Sequence, residues 1–277
     1  SHSRLNFEEE SVFEVKGLGL PPEGEEISFE EALAYPAVKL FDHFAQMHNI
    51  YKNNHEDEIG DIIRICRVLD GHPLGIELAA NWTAMDSCAQ VVADIRRGLA
   101  EQDELHANLP EAERALRVVC DLSWNMLNTQ EQIIFEKLAI FPGGFKREIA
   151  HLVTNATTHD LLILKQHSFI DRSQKTGRYY VHPLLKEYAS QRRVEANQTD
   201  PSAEIQFRKR YCDFYLFYLF KRYLNILHES NHSHVYEILY ELPNIRQAWE
   251  EALYYELYEQ INHALPALSM FYQRQGL

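Results

Sequence analysis

Residues 65–80 read ICRVLDGHPLGIELAA, two runs with helical spacing parted by Gly71-His72-Pro73. Glycine just past a helix supplies the left-handed residue that closes it, and proline at a first helical turn gives up no hydrogen bond. The break therefore ends one helix and starts another at a sharp angle. A chain punctuated this way folds as short helices packed around corners, not as rods or sheets.

The same punctuation recurs. Ser28 with Glu31 forms an S-x-x-E capping box ahead of EALAY, and Pro36 opens AVKLFDHFAQMH. In HEDEIGDIIRICRVLD, Ile59, Ile62, Ile63, Cys66 and Leu69 share one face, with Glu56, Asp57 and Glu58 at the positive N-terminal end. CAQVVADIRRGL follows, capped by Asp86 or Ser87. These elements predict a helical domain over 28–108.

Beyond AEQDELHANLP, helical patterns run through EAERALRVVCDLSWNML, TQEQIIFEKLAIF with Thr129 as its cap, KREIAHLVT and ATTHDLLILKQH. A hairpin signal then appears as SFIDRS, the turn QKTG, and RYYVH, before HPLLKEYASQRRVEA resumes helix. Helices, a two-stranded hairpin and a closing helix predict a winged-helix domain over 109–198. After the linker NQTDPSAE, residues 199–277 read as the start of an α-helical repeat of tetratricopeptide type, with Ile245, Ala248, Trp249, Ala252 and Leu253 at helical spacing. The fold class is mainly α: a helical bundle domain, a winged helix with a small β-hairpin, then helical repeat.

Residues 1–27 stand apart. They hold one strand-like run, Val12–Val15, and the linker Pro21-Pro22-Glu23-Gly24. A lone strand cannot satisfy its own backbone groups. The expectation is a piece of a longer protein, with 1–27 as the edge of a preceding domain plus a linker.

No apolar run approaches eighteen residues, and no basic stretch leads into an apolar one at the N-terminus. Cys66, Cys88, Cys120 and Cys212 form no CxxC pair and read as free thiols of a cytoplasmic chain with no membrane partner. The net charge of −14 excludes a general binder of nucleic acid or anionic membrane. Residues 109–198 differ, with 12 basic and 10 acidic residues. There KREIAHLVT would be the reading helix and Arg172, Lys175 and Arg178 the basic wing, yet the helix offers only Lys146 and Arg147 before Glu148 and an apolar face. Direct nucleic-acid binding is therefore the lesser expectation. His228, Glu229, His232 and His234, like Asp42, His43 and His48, lack a second ligand pair nearby, so no metal site is expected.

Three signatures fall in order: Ser3-Arg4-Leu5-Asn6 before a strand, Gly71-His72-Pro73-Leu74 between helices, and Val181-His182-Pro183-Leu184-Leu185 closing the winged helix. Together with LDGHPLGIELAA, LRVVCDLSWNMLNTQEQIIFEKLAIFPGGF and NIRQAWEEAL, this order resembles the STAND class of signal-transduction ATPases, of the NB-ARC-like and bacterial regulator type. The resemblance implies that Arg4 senses the terminal phosphate of a nucleotide, that Pro73 packs on the adenine, and that His182 contacts the β-phosphate of ADP. His72 stands where the family has leucine, and Val181 and Pro183 where it has methionine and aspartate.

No G-x-x-x-x-G-K-[ST] occurs, nor a strand ending in paired acids for magnesium. By this reading no residue is catalytic and the segment is no enzyme, while the longer protein is an ATPase. ADP or ATP would be bound in that longer protein and not by this segment. The implied partners are the nucleotide-binding core upstream and proteins that dock on the repeats. The implied role is a nucleotide-dependent switch controlling oligomerisation; the alternatives are a DNA-binding winged-helix transcriptional regulator or a helical-repeat scaffold.

Overall fold

The computed structural model describes residues 16–24, 27–48, 57–106, 109–197, 201–228 and 233–275. Arg4 and the Val12–Val15 run lie outside them. The chain is mainly α-helical and divides into two compact units, 1–126 and 127–277. No described helix is long and apolar enough to cross a membrane.

The first unit holds α1 (Phe29–Ala32), α2 (Pro36–His48), α3 (Ile59–Val68), α4 (Pro73–Asn81), α5 (Cys88–His106) and α6 (Glu111–Asn125). Ser28 and Glu31 close the expected capping box on α1. Ser87 caps α5 by accepting from the Gln90 amide, and Glu58 reaches across to accept from the Cys88 amide at 3.1 Å. On α3 the buried face is Ile62, Ile63, Ile65 and Cys66. Helix α6 packs on α4 and α5, where the Trp82 indole donates to Ser123 Oγ at 3.1 Å within the core. The second unit thus begins at Leu127, after the helix that sequence reading grouped with the winged helix.

The turn at 70–73 explains the interrupted sequence. The Gly71 amide reaches back to Cys66 O at 2.9 Å, and Gly71 sits at φ +67°. Its carbonyl accepts from the Leu18 amide at 2.9 Å, so the preceding linker lies backbone to backbone across the corner. A Cβ at Gly71 would stand 2.3 Å from Leu18 O, and one at Gly17 would stand 1.8 Å from Asp70 O. Arg67 fastens the same linker by donating to the carbonyls of Pro21 and Pro22.

The second unit opens with α7 (Thr129–Leu138), α8 (Arg147–Thr154) and α9 (Thr158–Gln166). The strands β1 (Asp171–Arg172) and β2 (Tyr179–Tyr180) pair antiparallel, and α10 (Pro183–Asn197) returns onto α7. Phe145 forms a single bridge to Tyr179, so a third short segment joins the hairpin. The cap of α7 is Asn128, in a capping box with Glu131, not Thr129, which is the first helical residue.

Then come α11 (Pro201–His228), α12 (Ser233–Tyr254) and α13 (Tyr258–Gln275), with α11 packed on both later helices. Part of the expected linker is helix, since Pro201 begins α11 and its missing N–H costs no bond there. Ile245, Ala248 and Ala252 are buried as the periodicity predicts, whereas Leu253 is exposed.

Gly71→Ala combines a left-handed backbone with a 2.3 Å clash and is expected to destabilise the first unit by about 2–3 kcal/mol. Gly60→Ala, in helix with open space around it, is expected to leave thermal stability unchanged or slightly raised. Paired thermal melts check both.

Candidate functional site

The turn Phe141-Pro142-Gly143-Gly144-Phe145 links α7 to α8 and carries two glycines for cause. Gly144 sits at φ +67°, where a Cβ would stand 2.4 Å from Tyr179 O and 2.6 Å from the Tyr180 ring. Gly143 lies against Pro243, inside α12, and a Cβ there would already be 3.3 Å from the proline ring. The wing strand and a helix of the repeat thus close on the two sides of one turn.

Arg178, at the base of the wing, is 3% exposed and forms a bidentate pair with Glu241 of α12, itself 2% exposed. The same guanidinium donates to Gly144 O at 2.9 Å and Gly143 O at 3.2 Å. Asn244, fully buried, completes the cluster. Its amide donates to Glu241 Oε2 at 2.7 Å and to Gly144 O at 2.9 Å, and its Oδ1 accepts from the Gly143 amide at 3.0 Å. Tyr215 donates to Glu241 Oε2 at 3.2 Å, and Tyr211 donates to Asn244 O at 3.1 Å.

Burial acts to lower the Arg178 pKa, but the hydrogen bonds and charge of Glu241 outweigh it and leave the pKa above the ordinary guanidinium value. Burial, reinforced by the Glu241 charge, holds the Tyr215 phenol well above its usual range. Around this polar centre, Phe141 meets Tyr211 edge-on at 5.3 Å and Phe145 at 5.1 Å. The aromatic run of α11 is therefore a packing surface for the winged helix.

The wing has less free basic surface than its sequence promised. Arg178 is consumed by Glu241, and the Arg172 guanidinium lies over the Tyr179 ring at 5.5 Å. Helix α9, not α8, immediately precedes the wing and so occupies the reading-helix position. Its exposed residues are Thr158, His159, Leu162, Lys165 and Gln166. Helix α8 instead buries Ile149, Ala150 and Val153 and packs on α11.

Of the sequence-predicted residues, Pro73 is the exposed first residue of α4 in the first unit. The neighbouring His72 caps that helix, its Nδ1 accepting from the Gly75 amide at 3.3 Å. His182 belongs to the second unit, between β2 and α10. It is exposed, and its Nδ1 accepts from the Leu184 amide at 3.3 Å. Partial burial lowers its pKa below the ordinary histidine value. The side chains of His228 and His234, and residues 229–232, lie outside the described residues.

Glu241 and Asn244 escaped sequence reading altogether. The available signal was Pro243 within a helical pattern, flanked by two polar residues on the face that meets α11.

No protein-family model matches the chain, and no solved structure matches it. Among curated proteins it is 28% identical over 182 residues to one named "Putative HTH-type transcriptional regulator" from Mycobacterium tuberculosis (strain ATCC 25618 / H37Rv), covering 59% of this chain and 18% of that protein. A protein of the same name from Mycobacterium bovis matches equally. An "Uncharacterized protein" of the same M. tuberculosis strain is 25% identical over 181 residues, covering 61% of this chain and 46% of that protein. The chain thus spans less than half the length of these relatives.

Two predictions rest on this site. Arg178→Met leaves Glu241 buried without its partner and is expected to cost about 3–5 kcal/mol, whereas Arg172→Met, on the exposed wing, stays within about 0.5 kcal/mol; urea titration separates them. Burial also lowers the pKa of His167 and of His182, so both favour the neutral ring in the folded state. Their contribution to stability is complete above the unfolded pKa of about 6.5 and is lost as pH falls through the lower folded values. His167→Gln should flatten the decline in urea midpoint measured below that pH.

Proposed function

We propose that this chain is the signal-relaying segment of a transcriptional regulator, in which the winged helix docks on protein instead of reading bases. The observation that carries this is Arg178: the wing's best-placed cation is buried against Glu241 of the helical repeat. A reading helix needs several basic or amide groups on one face, and α9 exposes Leu162 between its polar residues. The HTH-regulator names of the mycobacterial relatives support the transcriptional setting. At 18% coverage of those proteins, the DNA-reading element has ample room elsewhere in such a chain.

The finer reading is a STAND-like switch in the longer protein, with ADP or ATP held by an upstream nucleotide-binding core. Pro73 would lie on the base, His182 would meet the β-phosphate, and Arg4 would sense the terminal phosphate. What supports it is the ordered set of motifs, together with the exposure of Pro73 and His182 at two helix starts. The segment itself would be non-catalytic and cytoplasmic, with protein partners at the repeats. His182→Ala in the longer protein is expected to shorten ADP retention; unchanged nucleotide off-rates would remove the assigned role.

A second reading, direct DNA contact, is favoured by the exposed Lys165, Arg172 and Lys175. A mobility-shift titration near physiological salt is expected to show no retardation below about 10⁻⁶ M protein, the tight end of non-specific binding. Tighter binding that weakens with Arg172→Ala and with added salt would favour this second reading.

A further inference from the structure

We infer that the contact between the winged helix and the helical repeat is a releasable joint, held shut by Arg178, Glu241 and Asn244 and able to open as a unit while both sides stay folded. The inference stands on the joint's own geometry, whichever signal the longer protein receives.

Three observations carry it. The first is composition. Beside the apolar face of α8 that packs on α11, the contact holds the Arg178 cluster, an ion pair of Arg193 on α10 with Glu204 on α11, and Arg210 donating to Asn155 Oδ1 at 3.4 Å. Its ring-packed centre is Phe141 with Tyr211 and Tyr215. A buried polar cluster beside an aromatic centre, inside one compact unit, resembles an interface more than a wholly apolar core.

The second is the energetics of the pair. Withdrawing both ions from water largely offsets their attraction, so a closed pair contributes little net stability, although stranding one partner is costly. An opening that rehydrates Arg178 and Glu241 together avoids that stranding.

The third observation is an unmet acceptor. Glu251 Oε2 is buried with no hydrogen-bond partner, while its other oxygen takes Arg208 and Gln247. The charge of Arg193 on α10 reaches Glu251 from across the joint, so a parting there brings water toward this unmet oxygen. A ligand on the repeat that prefers either arrangement of α12 would shift the wing by its differential affinity alone.

The joint has a built-in reporter, because the Gly143 amide donates to the Asn244 side chain across it. Hydrogen exchange of the unaltered chain is followed at Gly143, Leu164 and Ala264 across low urea concentrations. Gly143 should exchange through an opening of lower free energy and shallower urea dependence than the two core amides. Coincidence of the three in free energy and slope would overturn the joint. In Glu241→Gln, Gly143 exchange should accelerate about a hundredfold, as expected for a buried cation that loses its partner. In the Arg178→Gln/Glu241→Gln pair it should fall back toward the parent rate. An unmoved Gly143 rate in the single variant would show that the opening leaves the ion pair intact and would sink the proposal. Should that variant not fold, the measurement on the unaltered chain decides the matter alone.

Discussion

One buried ion pair orders the second half of this molecule. Arg178 lies on the wing, Glu241 lies on α12, and the turn between α7 and α8 supplies the carbonyls that finish the guanidinium's shell. Once those groups are withdrawn from water, every neighbour is constrained to satisfy them. Gly144 is glycine because a left-handed backbone and the wing leave no room for a Cβ, and Gly143 lies so close to Pro243 that a Cβ there would have to push the ring aside. Tyr211 and Tyr215 are tyrosine because their hydroxyls serve the cluster while their rings cover Phe141. Asn244 is the one side chain there that donates and accepts in the geometry the turn requires.

This arrangement inverts the usual reading of a winged helix. Basic residues on a wing suggest phosphate contacts, and by count alone Arg172, Lys175 and Arg178 qualify. The fold spends Arg178 on an internal carboxylate and lays Arg172 over an aromatic ring. Charge count therefore overstates the surface offered to a nucleic acid, and burial is the deciding variable.

Much of the architecture was legible from sequence because it depends on local rules. Capping boxes, first-turn prolines and helical spacing located α1 to α4 closely, and the Gly71 corner behaved as its residue types dictate. The misreadings share a cause. Asn128 beside Thr129 offers two plausible caps, and only the Glu131 side chain selects between them. Pro201 follows a polar stretch and looks like linker, yet its position at a first helical turn makes it a helix start. The Glu241–Asn244 cluster was invisible because its partners on the wing and the turn lie about sixty to a hundred residues away, as the Arg178–Glu241 and Gly143–Asn244 separations show. Non-local pairing of that kind leaves no periodic trace.

The four cysteines carry a last consequence. Each is buried and unpaired, and burial pushes the thiols of Cys66, Cys120 and Cys212 up to about 12, with Cys88 raised further still beside Glu58. Near neutral pH the sulfurs stay protonated, and the ionised form is what attacks peroxide or a disulfide. Oxidants therefore find little purchase on these sulfurs while the fold holds. A single cysteine introduced at the surface would carry a fluorophore with little competition from the native four.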